Sequence, residues 1–169
     1  MLTEVVLPDG VPGQLFRSPM PGRWDWPFKE AFRAIMKHKI DLVVVLANPL
    51  EIETYAPRYA RMIDEEDLPW EMWDYPIPDE GVPEDNEEFL DLARDVAEEI
   101  REGARVLIHC YAGSGRTGTL ATCVLMALGM RLEEARVAVR DAGAGPETLS
   151  QERLVEWAAR ALSQDSEVA

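Results

Sequence analysis

The segment His109-Cys110-Tyr111-Ala112-Gly113-Ser114-Gly115-Arg116-Thr117-Gly118 places a thiol, a guanidinium six residues later and a hydroxyl beside it, with small residues between. Gly113 and Gly115 can take positive φ, so successive backbone N–H groups of Tyr111, Ala112, Gly113, Ser114 and Gly115 can turn inward as an anion nest. A helix beginning at Arg116 would add the positive end of its dipole. A phosphate dianion would be held mainly by backbone, with Arg116 as a bidentate, charge-assisted clamp. A helix N-terminus and an arginine also favour thiolate over thiol, which would make Cys110 a standing nucleophile without a histidine base. The Thr117 hydroxyl could hydrogen-bond the sulfur and stabilise it as a leaving group. His109 is expected to brace the loop through hydrogen bonds.

These residues need a scaffold, and the hydrophobic pattern supplies one. Residues 105–109 form a continuous apolar run that feeds the loop, and a helix over 116–128 follows it. Residues 41–46 are a second β-branched run, ended by Asn48-Pro49, of the kind found in strands buried on both faces. Residues 15–18 read as a short strand before a Pro-Met-Pro-Gly turn. Helices are expected over 28–39, 55–64, 84–101, 131–140 and 148–162, and residues 70–75 as extended. In the helical stretch 84–101, Phe89, Ala93, Val96 and Ile100 share one face, and Gly103 ends it. Strands alternating with helices give an α/β fold, a central, mostly parallel sheet with helices on both faces. The loop after residue 109 lies where strand gives way to helix, the ligand position of an open α/β sheet. One domain over 1–162 is expected, with a loose tail over 163–169.

Composition narrows the partners. The 169 residues carry 32 Asp+Glu against 17 Lys+Arg, a formal charge of −15, with 47% hydrophobic residues. That balance suits a compact domain, and the acid excess argues against a nucleic-acid partner. Residues 64–102 alone hold 17 acids and two bases, Arg94 and Arg101. No apolar run is long enough for a membrane span. Two cysteines cannot build a disulfide framework, and neither has a second ligand at metal spacing, so no metal and no cofactor are expected. Cys123 reads as core. A cytoplasmic, monomeric protein is the resulting expectation, with no membrane partner.

The arrangement His-Cys-x5-Arg-Thr resembles the signature loop of the cysteine-dependent protein tyrosine phosphatases, here running from Cys110 to Arg116. Their chemistry uses an acid about thirty residues upstream to protonate the leaving oxygen. Asp79 lies 31 residues before Cys110, in Tyr75-Pro-Ile-Pro-Asp79-Glu-Gly-Val-Pro83, a segment similar to the acid loop of small dual-specificity phosphatases. Glu80 and Asp85 are acids of the same type nearby. Leu15-Phe-Arg-Ser-Pro-Met-Pro-Gly22 and Glu147-Thr-Leu-Ser-Gln151 resemble segments of the cyclin-dependent-kinase-associated and other atypical dual-specificity phosphatases, so the resemblance covers residues 15–160. By analogy with the wider family, Gln151 is a candidate for positioning the hydrolytic water. One departure is that relatives often carry Arg-Pro where this chain has Ala142-Gly143, and Arg140 is the nearest basic substitute.

The resemblance implies a dual-specificity phosphatase-like fold and hydrolysis of phosphotyrosine, with phosphoserine and phosphothreonine as further substrates, through a phosphocysteine. The substrate would be a phosphoprotein or phosphopeptide, and the acidic 64–102 stretch would favour basic flanks. Two alternatives stand beside it. One is a phosphoinositide or inositol-polyphosphate phosphatase, although 111–115 lacks the lysines such enzymes often place in the loop. The other is a phosphate-binding pseudophosphatase that uses the nest without turnover.

Overall fold

The computed structural model describes residues 1–168. Five strands form one sheet in the order β1-β2-β5-β3-β4, made of Thr3–Val5, Gln14–Ser18, Leu42–Val45, Glu71–Asp74 and Arg105–His109 in chain order. Only β1 is antiparallel to its neighbour, with Thr3 opposite Arg17, while β2, β5, β3 and β4 run parallel. Strand β5 sits between β2 and β3, which aligns His109 with Ser18 on one side and Val45 on the other. The ends of three strands therefore meet at the start of the glycine loop.

Period-two alternation divides the core into two layers. Leu42, Val44, Val106 and Ile108 face a cluster with Phe89, Val96, Ile100, Leu120 and Val155, contributed by helices α4 (Asn86–Arg101), α5 (Gly115–Ala127) and α7 (Leu149–Val168). Val43, Val45 and Leu107 face the other side, against Phe28, Ile35, Ile52 and Tyr59 of α1 (Phe28–Lys37), α2 (Pro49–Tyr55) and α3 (Pro57–Asp64). Helix α6, Leu132–Asp141, packs beside α5. Residues Gly115 through Met126 of α5 are all buried, as expected of a helix surrounded by its neighbours, so the helix that carries Arg116 is enclosed along nearly its whole length.

Local chemistry explains where elements differ from expectation. Helix α1 stops at Lys37 because Lys39 takes φ +54 and Ile40 N–H closes back on the Ile35 carbonyl. Asn48-Pro49 ends β3 but also starts α2, which was not expected. Asn48 accepts from Glu51 N–H at 2.9 Å and its own N–H donates to Glu51 Oε2 at 3.0 Å, a complete capping box with Pro49 at the first helical position. Helix α3 starts at Pro57 rather than residue 55 for the same proline reason. The tail expected from residue 163 instead continues α7 to Val168, with Arg94 paired to Asp165 across to α4. Among the described residues no helix is long and apolar enough to cross a membrane.

Candidate active site

Loop 110–115 is shaped from outside by donors that hold its carbonyls. His109 Nδ1 donates to the Cys110 carbonyl at 3.0 Å, and Met20 N–H to that of Tyr111 at 2.9 Å. Arg17 reaches from the end of β2 to the Ala112 carbonyl at 3.3 Å, and its Nε donates to the Gly113 carbonyl at 2.8 Å. The Ser114 carbonyl accepts from Gly118 N–H at 2.6 Å and Gly145 N–H at 3.3 Å, and that of Gly115 from Thr119 Oγ1 at 2.7 Å. In a trans peptide the N–H of the next residue points opposite the carbonyl. With five successive carbonyls, 110 to 114, drawn outward, the N–H groups of residues 111 to 115 turn inward. The Gly113 N–H is a check on this, since it donates to Cys110 Sγ at 3.3 Å.

Two glycines allow the shape. Gly113 has φ +73, and a Cβ there would lie 2.1 Å from the Ser18 carbonyl oxygen. Gly118, one turn into α5, lets the backbone of Gly145 approach to 2.1 Å from where a Cβ would stand. The small residues therefore serve both the conformation of the loop and its seating.

Cys110 is 2% exposed, and its sulfur accepts from Thr117 Oγ1 at 3.1 Å as well as from Gly113 N–H. Arg116 is buried and multiply bound. Its Nη1 donates to Glu51 Oε2 and to the Ile77 carbonyl, each at 2.9 Å; Nη2 donates to Glu51 Oε1 at 2.9 Å and to Asp79 Oδ1 at 3.0 Å. Its Nε is buried with no hydrogen-bond partner. Burial pushes the Glu51 carboxyl upward, but the Arg116 guanidinium and the Asn48 N–H outweigh it and hold it below the usual carboxylate range.

His109 is wholly buried. Because a carbonyl can only accept, Nδ1 carries the proton, and Nε2 accepts from the Tyr59 hydroxyl at 2.9 Å. Burial pushes its pKa down to about 4, so it is a neutral strut at neutral pH. Asp79 lies in a solvent-exposed turn, where its Oδ1 accepts from Glu80 N–H of the same turn at 3.1 Å; Arg116 Nη2, at 3.0 Å, ties it to the site. Tyr111 lies at the rim, its ring 4.8 Å from that of Tyr55 and beneath the Arg23 guanidinium at 5.3 Å. Ser114 Oγ donates to Glu147 Oε1 at 2.7 Å.

The structure thus gathers Cys110, Arg116, Thr117, His109, Asp79 and the 111–115 backbone at one place. Gln151 is near, but both ends of its amide are committed to protein partners, Glu147 N–H and the Gly81 carbonyl. Arg140 is exposed and lines a cleft with Arg136, Glu147 and Ser114 of the loop, while Arg17 is the arginine bonded to the loop's carbonyls. Sequence reasoning missed Arg17, Glu51 and Tyr59. Of these, Glu51 had a readable local signal, the Asn48-Pro-Leu-Glu51 capping pattern, though nothing in it pointed to Arg116.

The family model described as "Swiss Army Knife protein, DSP-PTPase phosphatase domain" matches residues 28–167. Among curated relatives, rat Cyclin-dependent kinase inhibitor 3 is 37% identical over 54 residues, 32% of this chain and 25% of that protein. Mouse Tyrosine-protein phosphatase non-receptor type 4 is 47% identical over 47 residues, 27% of this chain and only 5% of that protein. The chain therefore matches a quarter or less of these relatives' length. Among solved structures, kinase associated phosphatase with its catalytic-site cysteine replaced by serine superposes with a TM-score of 0.82, at 20% identity over 96% of both chains. A mutant form of Tk-PTP has a TM-score of 0.71 at 31% identity, covering 95% of this chain and 97% of that one. PTPMT1 in complex with PI(5)P has a TM-score of 0.68 at 14% identity, covering 90% and 94%. With five strands, flanking helices and a Cys-x5-Arg loop at the strand-to-helix junction, the chain belongs to the dual-specificity-type protein tyrosine phosphatase family.

Proposed function

We propose that the protein hydrolyses phosphomonoesters on proteins, phosphotyrosine first among them, through a phosphocysteine on Cys110. The observation that carries this reading is the unpartnered, buried Nε of Arg116 beside a loop whose N–H groups turn inward around the sulfur. A buried donor without a partner is costly, and a bound phosphate oxygen would satisfy it.

In the first step the Cys110 sulfur attacks phosphorus in line while the bond to the leaving oxygen breaks, and Asp79 gives that oxygen its proton. The nest and Arg116 stabilise the charge spread over the three equatorial oxygens. In the second step water attacks the phosphocysteine, Asp79 takes its proton, and sulfur leaves with the Thr117 hydroxyl donating to it. Glu51 holds the guanidinium through Nη1 and Nη2, which leaves Nε as the donor for a phosphate oxygen. Cys110→Ser should abolish release of p-nitrophenol from p-nitrophenyl phosphate; full activity in that variant sinks the mechanism. A wild-type protein that binds phosphate without any turnover would make it a pseudophosphatase.

Basic flanking residues on the substrate are favoured by a cleft of about 540 Å³ beside the acid loop, lined by Asp74, Glu84, Asp85 and Glu88 with Tyr75 and Pro76. Faster turnover of Lys/Arg-flanked than acid-flanked phosphopeptides at low salt, with the gap closing at high salt, is the expected result. The likeness to PTPMT1 bound to PI(5)P supports phosphoinositides as a second substrate class. Against it stand a loop without lysine and a charge of −15, which repels anionic lipid surfaces. Phosphate release from a matched set of phosphopeptides and inositides decides between them.

A further inference from the structure

Gln151, in the first turn of α7, is 1% exposed, and both functions of its amide are used. Oε1 accepts from Glu147 N–H at 2.8 Å, and Nε2 donates to the Gly81 carbonyl at 3.0 Å, 70 residues away in sequence. Gly81 closes the turn that carries Asp79, its N–H donating to the Pro78 carbonyl at 2.8 Å. Within that turn Glu80 takes φ +59, a left-handed conformation that costs a residue with a Cβ about 1 kcal/mol or more.

An exposed turn with a strained third residue keeps its shape when both its ends are held. Before Asp79, Ile77 N–H donates to the Leu46 carbonyl and the Ile77 carbonyl accepts from Arg116, both at 2.9 Å. After it, among the described residues, Gln151 is the side chain that holds the Gly81 carbonyl. The same amide abuts the phosphate loop, since a Cβ on Gly115 would lie 3.1 Å from Gln151 Oε1. Glu147, whose N–H it accepts, takes the Ser114 hydroxyl. One buried side chain thus bridges the acid turn and the end of the nest.

We propose that Gln151 is a positioning residue that latches the Asp79 turn against the phosphate loop, so that its contribution to turnover is to protonation of the leaving group. This differs from directing water at the phosphocysteine, a task for which an amide with both ends bound to protein is poorly placed. The inference rests on the phosphocysteine reading and on Asp79 as the acid.

The test compares phenyl phosphate, a poor leaving group, with p-nitrophenyl phosphate, a good one, in the wild type and in Asp79→Asn, Gln151→Glu and Gln151→Ala. Gln151→Glu keeps the acceptor toward Glu147 and loses the donor toward Gly81. Both Gln151 variants should lower kcat/KM on phenyl phosphate by about tenfold while p-nitrophenyl phosphate changes less than about twofold. Asp79→Asn should widen the same gap further. Inhibition by vanadate should be unchanged in a Gln151 variant whose nest is intact, which separates a lost latch from a misfolded site. An equal fall in kcat/KM on both substrates overturns the latch. So does a fall in kcat alone, with a burst of product, which is the signature of impaired hydrolysis of the phosphocysteine. If Asp79→Asn leaves the gap unchanged, the assignment of the acid fails instead, and activity in Cys110→Ser removes the underlying reading.

Discussion

Arg116 and Glu51 form a two-point ion pair in which Nη1 meets Oε2 and Nη2 meets Oε1, each at 2.9 Å, with side chains 1% and 14% exposed. Glu51 is simultaneously the third residue of α2 and one half of its capping box with Asn48. One carboxylate therefore caps a helix start and holds the Arg116 guanidinium at two points. Its position in the site is an outcome of helix capping as much as of electrostatics.

Removing the buried partner should be costly. Glu51→Ala is expected to destabilise the fold by about 3 kcal/mol, because it leaves a buried guanidinium underpaired, and to lower kcat/KM on p-nitrophenyl phosphate about 10–100-fold. Asn48→Ala removes only the cap, for about 1 kcal/mol, and should change kcat/KM by less than about threefold. Urea unfolding and steady-state rates on both variants check this. Equal kinetic losses would show that the helix start, rather than the ion pair, matters.

Arg17 holds two adjacent carbonyls of the loop with one planar fork. Lysine carries the charge but lacks that geometry. Arg17→Lys should weaken inhibition by inorganic phosphate about tenfold with little change in thermal midpoint, whereas a variant with wild-type phosphate affinity would show that the other outside donors suffice.

Gly113→Ala should damage the nest more than its size suggests. The added Cβ would meet the Ser18 carbonyl at 2.1 Å and sit at φ +73. A loss of kcat/KM of about 100-fold or more, with circular dichroism preserved, is expected because the loop must shift while β2, β5 and α5 stay packed.

His109 makes stability pH-dependent. Burial lowers its pKa from an ordinary 6.5 to about 4 in the folded chain, with the Cys110 carbonyl partly offsetting and Arg116 adding to the shift. Between those two values the unfolded chain binds the extra proton and the folded chain does not, so stability is full above the unfolded value and falls as pH drops toward the folded one. The contribution is about 3 kcal/mol across the window. Unfolding followed from pH 7 to 4 should show this loss, and His109→Asn should flatten it. An imidazole that titrates near 6.5 by NMR would remove the basis of this expectation.

The parts legible in the sequence are those with short-range causes. The β5 run ended at His109 as read, α4 buried Phe89, Ala93, Val96 and Ile100 and stopped before Gly103, and the loop followed directly. Strand β1 was missed because three residues carry no periodicity, and it exists through pairing with β2. Helix α2 is hard to see in the sequence because Asn48-Pro49 also has the form of a strand end, although Glu51 three residues after Asn48 completes a capping signature.

What the sequence determined by itself is the chemistry of the centre: a thiol, a clamp and a hydroxyl within eight consecutive residues need only a strand before them and a helix after them, and both are encoded locally. What the tertiary structure decided is how that centre is held. Arg17 lies 96 residues from the Gly113 carbonyl it grips, Glu51 lies 65 from Arg116, and Gln151 lies 70 from Gly81. Contacts at that range leave no spacing pattern in the chain. They follow from parallel strands that align their ends, and from α2 and α7, whose first turns bring Glu51 and Gln151 to Arg116 and to the acid turn.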